Sequence, residues 1–186
     1  MPQAKKTSDR ITVDAYLAGE NDGTWRHEFV DGRVFAMAGA SERHNGVKLN
    51  LAGTFNASVA EPCRVFDGDM KLRIERSDDV RFYYPDVFGA CATENLDDYV
   101  RHDAILVIEV LSPTTERTDR YEKFAAYTSL PMLSEYVLIE QDIPSVEMYR
   151  RRAGWQLEQF GPGAAVTFES IGQTMTLDQI YRRIKF

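Results

Sequence analysis

Glu109 interrupts an otherwise apolar run, Ile105-Leu106-Val107-Ile108-Glu109-Val110-Leu111. A carboxylate inside such a strand is partly desolvated, which is costly unless it is paired or bound to a cation. By alternation it shares a face with Val107 and Leu111. A second carboxylate, Asp86, follows a proline in Tyr84-Pro85-Asp86-Val87. Asp119, Lys123 and Tyr127 recur every four residues and form one stripe along a helix. Each feature alone has a plainer reading: a strand-end glutamate bonded to an amide or an arginine, a turn aspartate, an exposed Asp–Lys pair. Together they make the set that divalent-metal phosphodiester chemistry needs. Two crowded carboxylates repel, and one keeps its proton unless a cation joins them. Mg²⁺ or Mn²⁺ suits the role, taking hard oxygens, acidifying a bound water and polarising a phosphoryl oxygen. A nearby ammonium orients the attacking water or offsets phosphate charge in the transition state.

These side chains need a scaffold, and the patterning supplies one. Asp31-Gly32 between residues 25–30 and 33–37 is a hairpin signal, preceded by a short helix over 11–20. Ser41 offers an N-cap oxygen, and Val47, Leu51, Phe55 and Val59 at steps of four predict a helix over 42–59, ended by Pro62. His44 opens that helix beside Glu42, either as a further polar group for the site or as an ordinary helix-start histidine. Strands are predicted over 63–66, 70–74 and 80–91, the last demoted to an edge or bulge at Pro85. An acidic loop over 93–103 precedes a central strand over 104–111, apolar enough to be covered on both faces. Ser112-Pro113-Thr114-Thr115 starts a helix running through Tyr127, and Leu130-Pro131 stops it. Strands follow over 135–140, 146–150 and 155–160, with a closing helix over 176–184. The order predicts a mixed α/β domain, a central sheet with helices on each side.

Composition narrows the class. The chain has 186 residues, 44% hydrophobic and 27% charged, with a net charge of −7. Those values suit one domain over 1–186 with a loose tail at 1–10, and exclude disordered, collagen-like and disulfide-scaffold chains. The acidic balance argues against coating nucleic acid by bulk charge, though not against local contact. Cys63 and Cys91 lack a nearby His or Cys and are expected to be reduced, half-buried thiols. With no apolar signal core and no membrane-length run, the expectation is a cytoplasmic protein with no membrane partner. Arg150-Arg151-Arg152 and Arg182, Arg183 and Lys185 are expected to be solvated charge clusters before phosphate contacts.

The strings Tyr84-Pro85-Asp86-Val87, Ile108-Glu109-Val110-Leu111-Ser112-Pro113-Thr114-Thr115, Asp119, Lys123, Tyr127 and Glu135-Tyr136 resemble the Uma2 family of restriction-endonuclease-like proteins. The N-terminal pattern His27-Glu28-Phe29-Val30-Asp31-Gly32 and the helix start with His44 share the likeness. The resemblance implies a PD-(D/E)xK nuclease fold with Asp86 and Glu109 as metal ligands and the Val110 carbonyl as a third. The broader pattern places lysine two residues after the glutamate, where this chain has Leu111. The resemblance implies that Lys123 supplies that charge instead. The leading expectation is a Mg²⁺- or Mn²⁺-dependent DNA endonuclease, working as a homodimer, with Asp86, Glu109, Lys123 and His44 as its catalytic set. A second reading is a non-catalytic nucleic-acid- or protein-binding relative. A third is a structural or dimerising protein whose carboxylates pair with arginine.

Overall fold

In the computed structural model, residues 10–22, 25–77, 79–91 and 97–186 are described. Helix α1 (Val13–Asp22) leads into the hairpin β1 (His27–Val30) and β2 (Arg33–Ala36). Asp31 and Gly32 both take positive φ, 48° and 79°, which the tight two-residue turn demands. Helix α2 (Glu42–Ser58) starts on Ser41, whose hydroxyl accepts the His44 amide, and buries Val47, Leu51 and Phe55. It ends at Ser58, capped by the Val59 amide, four residues ahead of Pro62. Its stop is therefore set by the cap.

Strands β3 (Arg64–Asp67), β4 (Lys71–Arg76), β5 (Asp79–Tyr83) and β6 (Val87–Ala90) follow. The short β7 (Val100–Arg101) lies in what the sequence reads as acidic loop, and both its residues are buried. Residues 92–96 of that loop and most of the expected tail lie outside the described residues. Strand β8 (Ala104–Leu111) has the predicted bounds and is buried almost throughout. Two sheets share these strands. One has the order β2-β1-β5-β4-β7. The other is completed by β9 (Glu135–Glu140), β10 (Val146–Arg150) and β11 (Leu157–Phe160), in the order β11-β10-β9-β8-β6-β3.

Pro85 is neither an edge residue nor a bulge. The segment read as one strand over 80–91 is two, and the chain leaves the first sheet and enters the second at Tyr84-Pro85-Asp86. Proline suits this junction because it has no N–H to give to a ladder.

Between the parallel strands β8 and β9 lies the crossover helix. Its first part, Thr118–Lys123, is a π-helical turn, in which the Phe124 amide bonds back to the Asp119 carbonyl. It continues as α3 (Phe124–Tyr127). The second sheet thus has α2 on one face, packed on Val87, Leu106, Ile108 and Val110. The crossover helix covers the other face, where Val107 and Leu111 meet Tyr127 and Tyr136. A further hairpin, β12 (Ala165–Phe168) and β13 (Gln173–Thr176), precedes α4 (Leu177–Ile180), a single turn with a Thr176–Gln179 capping box. The long closing helix expected over 176–184 reduces to that turn. The mixed α+β class holds, with strands shared among three sheets.

One sequence expectation, about sulfur, is overturned, and one about charge is corrected in part. Cys63 and Cys91 form a disulfide across 28 residues. Arg64 pairs with Ala90 on β3 and β6, so the next rung of the antiparallel ladder sets the two cysteines opposite each other. The triple arginine is a solvated cluster only in part, since Arg151 and Arg152 are exposed while Arg150 is not. Arg150 is buried and bound to Glu135, Glu158 and the Thr167 carbonyl, and Arg151 holds the Leu133 carbonyl. Arg152 pairs with Glu169. Among the described residues no helix is long and apolar enough to cross a membrane.

Candidate active site

Asp86 and Glu109 meet because of strand register. Val87 of β6 lies opposite Ile108 of β8, so the ladder places Asp86 opposite Glu109. The two are then interlocked. The Asp86 amide donates to Glu109 Oε2 at 3.2 Å, and the Val110 amide donates to Asp86 Oδ2 at 2.8 Å. An extended residue sends its N–H and C=O to the same flank. The Val110 carbonyl therefore also faces the flank on which Asp86 lies.

Lys123 reaches this pair from the crossover helix. Its Nζ lies 3.2 Å from Glu109 Oε1, 3.0 Å from Glu28 Oε1 and 3.3 Å from Asp119 Oδ1. Three carboxylates thus surround an ammonium that has three N–H groups. The Asp119 contact is Coulombic and lacks an aligned hydrogen bond. The Tyr127 hydroxyl donates to Glu109 Oε1 at 2.8 Å, and the Tyr136 hydroxyl holds the Asp119 carbonyl at 2.9 Å. The stripe of Asp119, Lys123 and Tyr127 therefore turns inward, onto the face Glu109 shares with Val107 and Leu111. Leu111 itself packs in the core.

His44 enters from the opposite side, on α2. Its Nε2 lies 3.1 Å from Asp86 Oδ2, while its Nδ1 is buried without a partner. The structure thus brings Asp86, Glu109, Val110, Lys123 and His44 together. It adds Glu28, whose hairpin strand lies in the other sheet. The sequence reading gave Glu28 no role; its one signal was a carboxylate inside the apolar-aromatic string His27-Glu28-Phe29-Val30. No arginine contacts Asp86 or Glu109 among the described residues, so the arginine-paired reading loses its basis.

The electrostatics follow from burial. Desolvation pushes the Glu109 carboxyl up from the usual 4.5 to about 8; Lys123 opposes this, and Asp119, Asp86 and Glu28 add to it. Burial alone would lower the Lys123 ammonium, but Glu109, Glu28 and Asp119 together hold it well above its ordinary range. Burial likewise lifts the Tyr127 hydroxyl, with Glu109 next, so Tyr127 remains a donor. Even with Glu109 protonated, the carboxylates of Asp86, Glu28 and Asp119 outnumber the single ammonium of Lys123. Among the described residues no group of three His, Cys, Asp or Glu side chains is arranged to hold a metal ion, so any ion here would rest on two carboxylates and a backbone carbonyl. Two adjacent carboxylates beside a backbone carbonyl supply the hard oxygen donors Mg²⁺ prefers. Asp86, Glu109 and the Val110 carbonyl therefore fit a hard dication.

The fold places the protein among nuclease-like structures. It matches the crystal structure of "a putative nuclease belonging to DUF820" from Anabaena variabilis, with a TM-score of 0.73 at 18% identity, covering 92% of this chain and 97% of that one. The chain belongs to the Uma2 family, described as "Putative restriction endonuclease", whose family model matches residues 13–178. It is 29% identical over 182 residues to the uncharacterized protein slr1290 of Synechocystis, covering 95% of this chain and 94% of that protein. It is 32% identical over 170 residues to sll1609 of the same organism, covering 87% and 94%.

Proposed function

We propose that this protein is a metal-dependent endonuclease that hydrolyses phosphodiester bonds in DNA. The observation that supports it is the charge balance of the site: Asp86 and Glu109 interlocked on neighbouring strands, with more carboxylate than Lys123 can neutralise. Asp86, Glu109 and the Val110 carbonyl would hold Mg²⁺ or Mn²⁺. When bound, the ion would acidify a water and draw charge from the phosphoryl oxygen. His44 fixes the Asp86 carboxylate from one side and the Val110 amide fixes it from the other. Tyr127 and Lys123 hold Glu109 Oε1. Lys123 keeps its proton throughout the neutral range, so it serves as a fixed positive charge that orients water and offsets charge on the phosphate. It does not serve as a base. Water would attack phosphorus in line with the leaving sugar oxygen and give its proton to solvent, the new P–O bond replacing the old one, and the leaving oxygen would take a proton from solvent. A homodimer would allow both strands to be cut.

The test is nicking of supercoiled plasmid in Mg²⁺ or Mn²⁺, with Mn²⁺ binding followed by calorimetry. Wild type should nick and bind. Asp86→Asn, Glu109→Ala and Lys123→Ala should not nick, and the first two should lose Mn²⁺ affinity. Binding should also release the Glu109 proton, so affinity should rise from pH 6 to about pH 8.5. A wild-type protein that neither cleaves DNA nor binds Mn²⁺ refutes the proposal.

A further inference from the structure

Helix α2 carries more than His44 on the flank that faces Asp86. His44, Lys48, Ala52 and Asn56 follow at steps of four and form one stripe. It runs about 18 Å along the helix at ~1.5 Å per residue. At its start His44 holds Asp86. One turn on, the Lys48 ammonium lies beside Gly68, where a side-chain carbon would sit 3.5 Å from Nζ and 3.9 Å from the carbonyl of Pro85, the residue before Asp86. Among the described residues Lys48 makes no ion pair or hydrogen bond. This sets it apart from Arg43, paired with Asp142, and Arg26, paired with Asp69. Beyond Lys48 the stripe borders an open groove of about 420 Å³. Ala52 and Asn56 form one wall, and Phe66, Asp67 and Met70 from β3 and the turn after it form the other. The groove is therefore large enough for one base and its sugar, with a carboxylate able to accept from a base amine. Its acidic wall repels phosphate, and Lys48, one turn before Ala52 on the same stripe, offers a cation for one.

We infer that this flank of α2 positions the substrate strand: Lys48 binds the phosphate next to the scissile one, and the groove receives the nucleotide beyond it. This rests on the nuclease reading and adds a path for the strand, one nucleotide for each four-residue step of about 6 Å along the helix. It makes Lys48 a substrate-positioning residue with no part in metal binding.

Fluorescence anisotropy of a labelled single-stranded DNA of about twelve nucleotides, in EDTA and low salt, separates this from the chemistry. Lys48→Ala should raise Kd roughly fivefold and reduce the salt slope by about 0.7, the value of one single-strand phosphate contact. Lys48→Glu should weaken binding further. Gly53→Trp fills the groove from a position with nothing within 4 Å of its added carbon. It should weaken binding about threefold and leave the salt slope unchanged. Arg152→Ala, remote from α2, controls for net charge and should bind within about twofold of wild type. Circular dichroism melts establish that each variant is folded. Wild-type binding with Lys48→Glu unchanged overturns this inference and spares the nuclease reading. Loss in the Lys48 variants with Gly53→Trp unchanged overturns the groove assignment. A wild type that binds no DNA in this assay overturns this inference, while the nuclease reading stands or falls on plasmid nicking and Mn²⁺ binding.

Discussion

Replacing Glu109 by glutamine in metal-free buffer should invert the relative stability of variant and wild type as pH rises. In the native protein burial lifts this carboxyl from the usual 4.5 to about 8. A folded-state pKa above the unfolded one means that the native chain keeps a proton the unfolded chain gives up. The stability it contributes is complete below pH 4.5 and is lost as pH rises through 8. At ~1.4 kcal/mol per pH unit, the loss amounts to about 5 kcal/mol. Glutamine cannot ionise, so the variant escapes that loss. It still accepts from Tyr127, but its amide group meets the Asp86 N–H where Oε2 accepted before, two donors facing each other. That mismatch costs about 1–3 kcal/mol. The variant should therefore be less stable than wild type by about 1–3 kcal/mol near pH 5 and more stable by roughly 2–4 kcal/mol near pH 8.5. Urea unfolding with EDTA across that range measures both proteins, and the difference cancels the histidines they share. A difference that stays constant from pH 5 to 8.5 would refute the reasoning, because Glu109 would then be ionised throughout.

Lys123→Met should cost about 3–5 kcal/mol in urea unfolding at neutral pH, since it strands Glu109, Glu28 and Asp119 without their shared cation. Arg150→Met should cost a similar ~3–5 kcal/mol by leaving Glu135 buried and unpaired, with no effect on Mn²⁺ affinity. Ser41→Ala should remove the cap on the His44 amide and cost about 1 kcal/mol, read as a lowered thermal midpoint.

What the sequence discloses is whatever is written in local pattern. Strand β8 was legible to the residue because eight consecutive positions are apolar apart from Glu109. The hairpin was legible because Asp31-Gly32 allows few other conformations, and α2 because its apolar spacing and Ser41 cap agree. Juxtapositions across the chain were harder. The Asp86–Glu109 meeting depends on β6–β8 register, and only the family likeness suggested it. Glu28 approaches Lys123 from a different sheet, and no spacing along the chain encodes that. The disulfide has the same origin, in a ladder rung between segments 28 residues apart. Pro85 was recognised as a break, but a break within one sheet and a passage between two look alike in one dimension. The inward set of Asp119 and Lys123 depends on a π turn, which simple four-residue spacing does not distinguish from an ordinary helix.

The passage at Tyr84-Pro85-Asp86 has a bearing on how the protein acquires its chemistry. Glu28 belongs to one layer, Glu109 to the other, and Asp86 to the thread that stitches them. Neither layer, expressed by itself, would own a complete centre. Competence arises only when an early segment near residue 28, a middle one near 86–109 and the crossover at 123 have all docked. A nascent chain would thus lack the assembled site until the crossover helix has docked.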